Sequence, residues 1–369
     1  MTLEEIRKRI DEIDEQLLPL FLARMDCARE VAAVKKEAGL PVLNAGREQE
    51  ILDRVASRAG EYGGAARVLY ATLMEVSRGL QHQILHSGAA LRAQIEAAQL
   101  PPAEPGRVAT FGRPGSFSHK AADVLFPGCT PVSFNSFAEI FRAVDEGSAS
   151  FGVLPVENSS AGSVGEVYDL ILRYRFYIVG AETLGVRHCL AARTGAQPRR
   201  VISHPQALAQ CSRRIAELGL TAEPCETTAE AAVKAASLPD AAAICSEEAA
   251  RAAGLEVLER GIQNTENNCT RFITISRALY IPEGADKISL CFSLPHVTGS
   301  LHGVLSRFAQ AGLNLTKIES RPIPGRRFEY DFYLDFTGSV RDEQTLALLA
   351  SLSEELPRFS FLGNYTERE

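Results

Sequence analysis

Apolar positions in the first hundred residues recur with a helical period. Ile6, Ile10, Ile13, Leu17, Leu20, Arg24, Cys27, Val31 and Val34 alternate steps of four and three, the heptad spacing of a seam that faces a second helix. The pattern is interrupted at Gly39-Leu-Pro41-Val-Leu-Asn44 and at Gly60-Glu-Tyr-Gly63-Gly64, so it predicts three helices, one long and two shorter, over residues 1–98. Two shorter companions cannot cover so long a seam, and this predicts an interwoven homodimer. Pro19 falls inside the long helix, where it removes a hydrogen bond and is expected to bend the rod.

After a Pro-rich linker at 99–106, the period changes. Short apolar runs at Val108–Phe111, Phe151–Leu154, Phe176–Val179, Val201–Ser203 and Ala241–Cys245 alternate with helical stretches near Ser118–Val124, Ser136–Asp145 and Pro205–Leu218. This alternation predicts an α/β domain with a largely parallel sheet over 107–281. From 285 to 369 the order is strand, helix, strand, strand, helix, strand, a βαββαβ module of the α+β class. The chain is therefore read as multidomain, and its 369 residues suit two or three domains.

Composition narrows the function classes. With 46% apolar and 23% charged residues and a formal net charge of −7, the chain reads as globular, with neither nucleic acid nor a membrane as partner. The charged opening Met1–Arg9 leads into no apolar segment, so a cytoplasmic protein is expected. Eight cysteines include no CxxC pair; free thiols are expected, with no metal site and no cofactor.

Three places carry candidate chemistry. Arg24 takes a seam position where an apolar residue is expected, and an unpaired buried guanidinium costs several kcal/mol, so an anion should meet it. Lys35, about three turns on, returns near the same face; Arg7 points away and can join only from an antiparallel partner helix. Arg47 and Glu48 start the second helix, and Ser77 and Gln81 share a face of the third. Farther on, the run Phe151–Val156 breaks into Glu157-Asn158-Ser159-Ser160-Ala-Gly162-Ser163. That loop is either a capped strand-to-helix turn or an anion-binding loop at a strand end. Thr298-Gly299-Ser300-Leu301 opens a helix, and Glu319-Ser320-Arg321-Pro322 ends a strand.

In order and spacing, Arg7, Arg24, Lys35, Arg47-Glu48, Ser77 and Gln81 resemble the all-helical chorismate mutases, with Asn44 where an Asp is common. The blocks Phe111–His119, Val156–Val164, Ser203–Cys211 and Asn268-Cys269-Thr270-Arg271-Phe272 resemble prephenate dehydratases, and the last module resembles an ACT regulatory domain. The resemblance implies a bifunctional chorismate mutase/prephenate dehydratase with an intertwined helical dimer, a two-lobed α/β domain and an ACT domain. Its substrates would be chorismate and prephenate, its inhibitor L-phenylalanine, its assembly a homodimer with tetramers left open.

By the same resemblance Lys35 and Gln81 face the breaking ether oxygen, Glu48 the ring hydroxyl and Ser77 a carboxylate, while Arg7, Arg24, Asn44 and Arg47 bind substrate. Thr270 is the hydroxyl at the dehydratase leaving group. Asn158, Ser159, Ser203 and Gln210 orient prephenate, and Arg271 is available for a carboxylate. Glu157 is either proton source or loop support. Gly299, Ser300, Leu301 and Glu319–Pro322 would contribute to the phenylalanine site, although Thr-Gly-Ser-Leu departs from the commoner turn. His204 is read as a helix cap. The alternatives are a dehydratase with a degenerate mutase region, or a non-catalytic sensor that keeps the fold and loses the catalytic side chains.

Overall fold

The computed structural model describes residues 1–368. Helix α1 (Leu3–Ala38) opens on a capping box, with Thr2 accepting from Glu5 N–H and the Glu5 carboxylate accepting from Thr2 N–H, so two otherwise orphaned donors are satisfied. It runs on through Pro19 and ends at left-handed Gly39. Helix α2 (Ala45–Arg58), α3 (Gly63–Leu85) and α4 (Ala89–Glu96) follow. Four helices thus replace the three expected, because His86 and Gly88 both adopt left-handed backbone and break the rod once more. At Gly88 a side chain would collide: a Cβ there would lie 2.5 Å from that of Ala350.

The next stretch carries β1 (Val108–Phe111), α5 (Phe117–Leu125), β2 (Val132–Phe134), α6 (Phe137–Asp145), β3 (Phe151–Asn158), β4 (Gly162–Ser163), α7 (Gly165–Tyr174) and β5 (Tyr177–Gly185). A second group holds β6 (Cys189–Ala192), β7 (Arg200–Ser203), α8 (Pro205–Gln210), α9 (Ser212–Glu217), β8 (Thr221–Pro224), α10 (Thr228–Ala236), β9 (Ala241–Cys245), α11 (Glu247–Ala252) and β10 (Glu256–Arg260). Strand β11 (Cys269–Ser276) then returns to the first group. The chain closes with β12 (Lys287–Ser293), α12 (Ser300–Gln310), β13 (Leu315–Pro322), β14 (Tyr330–Thr337), α13 (Glu343–Glu355), β15 (Ser360–Tyr365) and β16 (Glu367–Arg368). Apart from β16, that is the expected βαββαβ order, on a sheet of order β13-β14-β12-β15.

Two sheets stand where the alternation of apolar runs by itself predicts one largely parallel sheet, in keeping with the two-lobed domain that the resemblance implies. The seven-stranded one runs β16-β5-β11-β3-β1-β2, with β4 paired to β3; the five-stranded one runs β10-β6-β9-β7-β8. Both are mixed, since β11 is antiparallel to β3 and β5, and β6 is antiparallel to β9 and β10. Strand β5 leaves the larger sheet in the same sense as β1–β3 and the antiparallel β11 re-enters it, so each group of elements is a lobe. Alternation of apolar runs reports strands but not their direction. The helix expected over Pro205–Leu218 is split at Cys211.

The larger lobe packs Val108, Ala121, Ala122, Phe151, Val153 and Phe272 in its core. The smaller uses Ala229, Ala231, Ala232 and Ala235 of α10 against Ala241 and Ala243 of β9, and the small side chains let helix and sheet approach closely. Gly115 has φ 84° and a Cβ there would lie 2.8 Å from the Ala249 backbone, while Ser246 Oγ donates to Gly115 O at 2.7 Å. The two lobes thus touch at a point where only glycine fits. The cysteines are free thiols; burial pushes Cys211 up to about 12, leaving it unreactive.

Two compact units emerge from the Cα geometry: Met1–Ala97 with Leu290–Phe361, and Ala98–Ser289 with the chain from Leu362 on. No helix among the described residues is long and apolar enough to cross a membrane.

Candidate functional site

In the first unit, α1, α2 and α3 bring polar side chains together on otherwise apolar faces. The seam expectation and the burial separate here: Met25, Ala28 and Ala32 of α1 are buried, whereas the seam residues Ile6, Ile10, Ile13, Leu17 and Leu20 are 41–68% exposed. Toward α3, Arg24 Nη1 donates to Leu73 O at 3.0 Å and to the Ser77 hydroxyl. One α-helical stretch farther along, Lys35 Nζ donates to Gln81 Oε1 at 3.1 Å and to Val42 O. Ser77 and Gln81 are both 7% exposed. An ammonium has three donors, so Lys35 keeps one for another acceptor.

Glu48 joins this group through Arg78, whose Nη1 lies 2.6 and 2.5 Å from its two oxygens. Burial lowers the Lys35 pKa; Glu48 works against that shift, and Arg78 adds to it. Arg24, Lys35, Glu48, Ser77 and Gln81 are therefore brought together. Three other expected members are not. Asn44 spends its side-chain oxygen capping α2, accepting from Arg47 N–H at 3.0 Å; Arg47 is exposed and pairs with Glu50 at 3.1 Å; Arg7 is exposed on a stretch of α1 where residues 1–20 are exposed throughout.

In the second unit the Glu157–Ser163 loop is tied down by Asn158. Its Oδ1 accepts from the backbone N–H groups of Ser160 and Ala161, both at 3.0 Å, and from Gln206 Nε2 at 3.0 Å. Because backbone N–H groups only donate, the amide orientation is fixed. Asn158 Nδ2 then faces Thr270 Oγ1 and Asn268 Oδ1, both at 2.9 Å. Thr270 is 9% exposed and accepts that bond, so its hydroxyl proton stays available for another acceptor.

The same logic extends further. Asn268 Nδ2 donates to Gln210 Oε1 at 3.0 Å, and His188 Nε2 lies 3.0 Å from that oxygen. His188 must therefore donate from Nε2. Burial lowers its pKa, with the Gln210 bond opposing, and a neutral ring protonated at Nε2 leaves Nδ1 as an acceptor. Among the described residues Nδ1 of His188 and Nε2 of Gln210 are buried with no partner, one an acceptor and the other a donor. His188 and Leu184 also line a cavity of about 680 Å3 that carries Arg187, Arg251 and Arg260, and Leu184 is the cross-strand partner of Thr270.

The remaining expected residues do other work. Ser159 Oγ donates to Asn267 O and accepts from Cys269 N–H, closing the loop onto β11. Ser203 is fully buried and donates to Ile244 O at 2.6 Å, joining β7 to β9. The reading of Arg271 as a carboxylate ligand beside Thr270 needs correction. Successive strand side chains alternate faces, and Arg271 pairs in register with Glu157 just as Thr270 pairs with Asn158. Glu157 and Arg271 thus lie on the opposite face from Thr270, and Arg271 is held by Glu367 and, at 2.8 Å, by Tyr365 Oη. His204 caps α8, accepting from Gln206 N–H at 3.3 Å.

Gly299, at φ 89°, starts α12. Ser300 and Leu301 line a cavity of about 350 Å3 together with Pro295, Val297, Phe328 and Tyr330. Glu319–Pro322 lie elsewhere, on β13 at the edge of the four-stranded sheet. Sequence reasoning missed His188, Gln206, Asn268 and Arg78. Gln206 and Asn268 sit inside motifs already singled out and lacked only a role. Arg78 and Glu75 are the two charges in the apolar second half of α3, which marks them. His188 carries no such signal.

Residues 6–82 match the chorismate mutase type II family and residues 108–279 the prephenate dehydratase family. The bifunctional chorismate mutase/prephenate dehydratase of Aquifex aeolicus is 32% identical over 98% of this chain and 97% of its own. Arogenate dehydratase/prephenate dehydratase 2 of Arabidopsis thaliana, a chloroplastic protein, is 42% identical over 70% of this chain and 72% of its own. The prephenate dehydratase of Arthrobacter aurescens, solved in complex with L-Phe, superposes with a TM-score of 0.65 at 31% identity, covering 70% of this chain and 89% of that one.

Proposed function

Because this chain belongs to the bifunctional chorismate mutase/prephenate dehydratase family, we propose that the two clusters above are its two active sites, taking chorismate to prephenate and prephenate to phenylpyruvate. The mutase reaction is pericyclic and needs no nucleophile or general base; it needs a compact conformer held still and stabilisation of charge on the breaking ether oxygen. Arg24, supported by Ser77, grips a carboxylate. The spare Lys35 proton and the Gln81 amide face the ether oxygen, and Glu48 takes the ring hydroxyl. Arg7 enters from a second copy, whose α1 covers the exposed seam.

In the dehydratase, loss of the ring carboxylate as CO2 expels the C4 hydroxyl as the ring becomes aromatic. The Thr270 hydroxyl donates to the departing oxygen, backed by Asn158. His188 and Gln210 present their free acceptor and donor to the substrate. With Arg271 engaged on the other face, Arg187 and Arg251 of the adjoining cavity, which form no ion pair among the described residues, are the cations for its carboxylates. The observation that carries the reading is the Asn158–Thr270 bond, in which the Thr270 hydroxyl accepts and keeps its own proton for another acceptor.

Purified protein supplied with chorismate at neutral pH should release phenylpyruvate; accumulation of prephenate alone would remove the second site. The Arabidopsis relative is named for arogenate as well as prephenate dehydration, so arogenate, whose amino group replaces the keto group and whose product is phenylalanine, is the second candidate substrate. Competition between the two in one reaction ranks them. We assign the cavity beside Gly299 to phenylalanine as feedback inhibitor: it is lined by aromatic and apolar side chains, and a second ACT module meeting edge strand β13 would bring Glu319–Pro322 to it. Added phenylalanine should then slow phenylpyruvate release.

Ile13 and Leu17 are 59% and 55% exposed, and an apolar row of this length calls for a partner. Changing both to glutamate should leave a monomer by light scattering, with mutase activity lost because Arg7 no longer reaches its site. A dimer that survives the double change would place the interface elsewhere.

A further inference from the structure

Within the first unit, α3, α12 and α13 enclose a cluster of charged side chains that the mutase chemistry does not use. Arg78, with 12% of its side chain exposed, holds Glu48 by Nη1, while its Nε lies 3.4 Å from Glu355 Oε1. The second contact is an ion pair without hydrogen-bond geometry, since Arg78 Nε has no bonded acceptor among the described residues. Glu355, 7% exposed, also takes His82 Nε2 at 2.6 Å and Arg307 Nη1 at 2.8 Å. Arg307 of α12 is anchored in turn on the Ser351 hydroxyl of α13.

The arrangement has a direction. Burial alone would raise the Glu355 pKa, but His82, Arg307 and Arg78 outweigh it and bring it down to about 2, so the carboxylate is charged throughout the working range. A buried guanidinium is held in position by the carboxylates it faces, and Arg78 faces Glu355, Glu48 and Glu75. Removing the Glu355 charge would leave Arg78 shared between Glu48 and Glu75, shifting the guanidinium that holds the group meeting the ring hydroxyl.

We propose that Arg78 is a positioning residue of the mutase, fixing Glu48 for substrate, and that Glu355 of the C-terminal module completes the mutase site by holding Arg78 from behind. The placement of Glu48 in α2 then depends on a side chain outside α1–α3. The inference rests on Glu48 belonging to the mutase site.

Full-length Glu355→Gln keeps the shape and removes the charge. It should reduce mutase kcat/KM about tenfold, as expected for residues sharing one ion-pair network, with KM rising more than kcat falls and dehydratase turnover of prephenate unchanged. In a Glu48→Gln background the same change should have no further effect, which a general loss of packing would not produce. Arg78→Lys, keeping the charge but not the fork, should retain more mutase activity than Arg78→Met.

Equal loss in both backgrounds, or no loss in either, overturns the relay. If Glu355→Gln fails to fold, the Arg78 pair decides: Lys and Met variants of equal activity overturn it. Lys35→Ala separates the two layers. Inactive Lys35→Ala beside fully active Glu355→Gln sinks the relay alone; active Lys35→Ala sinks the assignment of the site.

Discussion

Thr270→Ala is expected to lower the dehydratase kcat by roughly 10²–10³-fold, the range seen when one preorganised donor is removed from a developing oxyanion. The departing hydroxide needs a proton or a strong hydrogen bond, and a free threonine is a poor acid. The site supplies help by geometry. Asn158 Nδ2, oriented by two backbone N–H groups, donates to Thr270 Oγ1 at 2.9 Å, so the hydroxyl proton is turned outward and polarised. Thr270 sits at the start of β11, its backbone in register with Asn158 on one side and Leu184 on the other.

Removing one Oγ and one methyl from that position leaves this pairing intact, so the loss should fall on kcat while chorismate rearrangement continues at the wild-type rate. Thr270→Ser, which restores the hydroxyl on a freer rotor, should recover part of the lost rate. Phenylpyruvate formation from prephenate, followed under saturating substrate, checks both. Undiminished turnover in Thr270→Ala would remove the hydroxyl from the mechanism and leave the free Gln210 Nε2 donor as the candidate group at the leaving oxygen.

How far the chain could be read in advance depended on the physics behind each pattern. The period from Ile6 to Val34 was legible because helical spacing shows in one chain alone, and apart from half-buried Arg24 its residues lie exposed. The third break in the helical region was not: Gly88 is a lone glycine, and what requires it is a Cβ contact with Ala350, more than 250 residues away in sequence. Motif proximity misled at Arg271. Adjacent positions in a strand point to opposite faces, so neither neighbour of Thr270 in β11 shares its side.

The polar network of the dehydratase was half legible. Asn158, Gln210 and Thr270 stand in recognisable blocks, whereas His188 joins them only because β5 passes from one lobe to the other just before it. The pairing of β16 with β5 through Glu367 and Arg368 was out of reach, since two residues carry no period.

Lys35→Ala is expected to reduce the mutase kcat by roughly 10²–10³-fold and to leave dehydration of supplied prephenate intact. Lys35 projects from the last turn of α1, held by Val42 O and Gln81 Oε1, with one donor left for the ether oxygen as its bond to carbon breaks. Gln81 cannot substitute, because a neutral amide donor lacks the charge. Burial and the nearby Arg78 guanidinium lower the Lys35 pKa from 10.5, with Glu48 opposing them.

The sign follows from which form works. The ammonium is the active species, so mutase activity should be full at neutral pH and fall as pH rises through the lowered pKa, with an alkaline limb below the ordinary lysine value. Arg78→Met should move that limb upward by removing a like charge, and Glu48→Gln should move it downward by removing an opposite one. Opposite displacements in the pH–rate profiles of the two variants would identify Lys35 as the titrating group. A limb that stays put in both would assign it to some other residue and take Lys35 out of the rate-determining electrostatics.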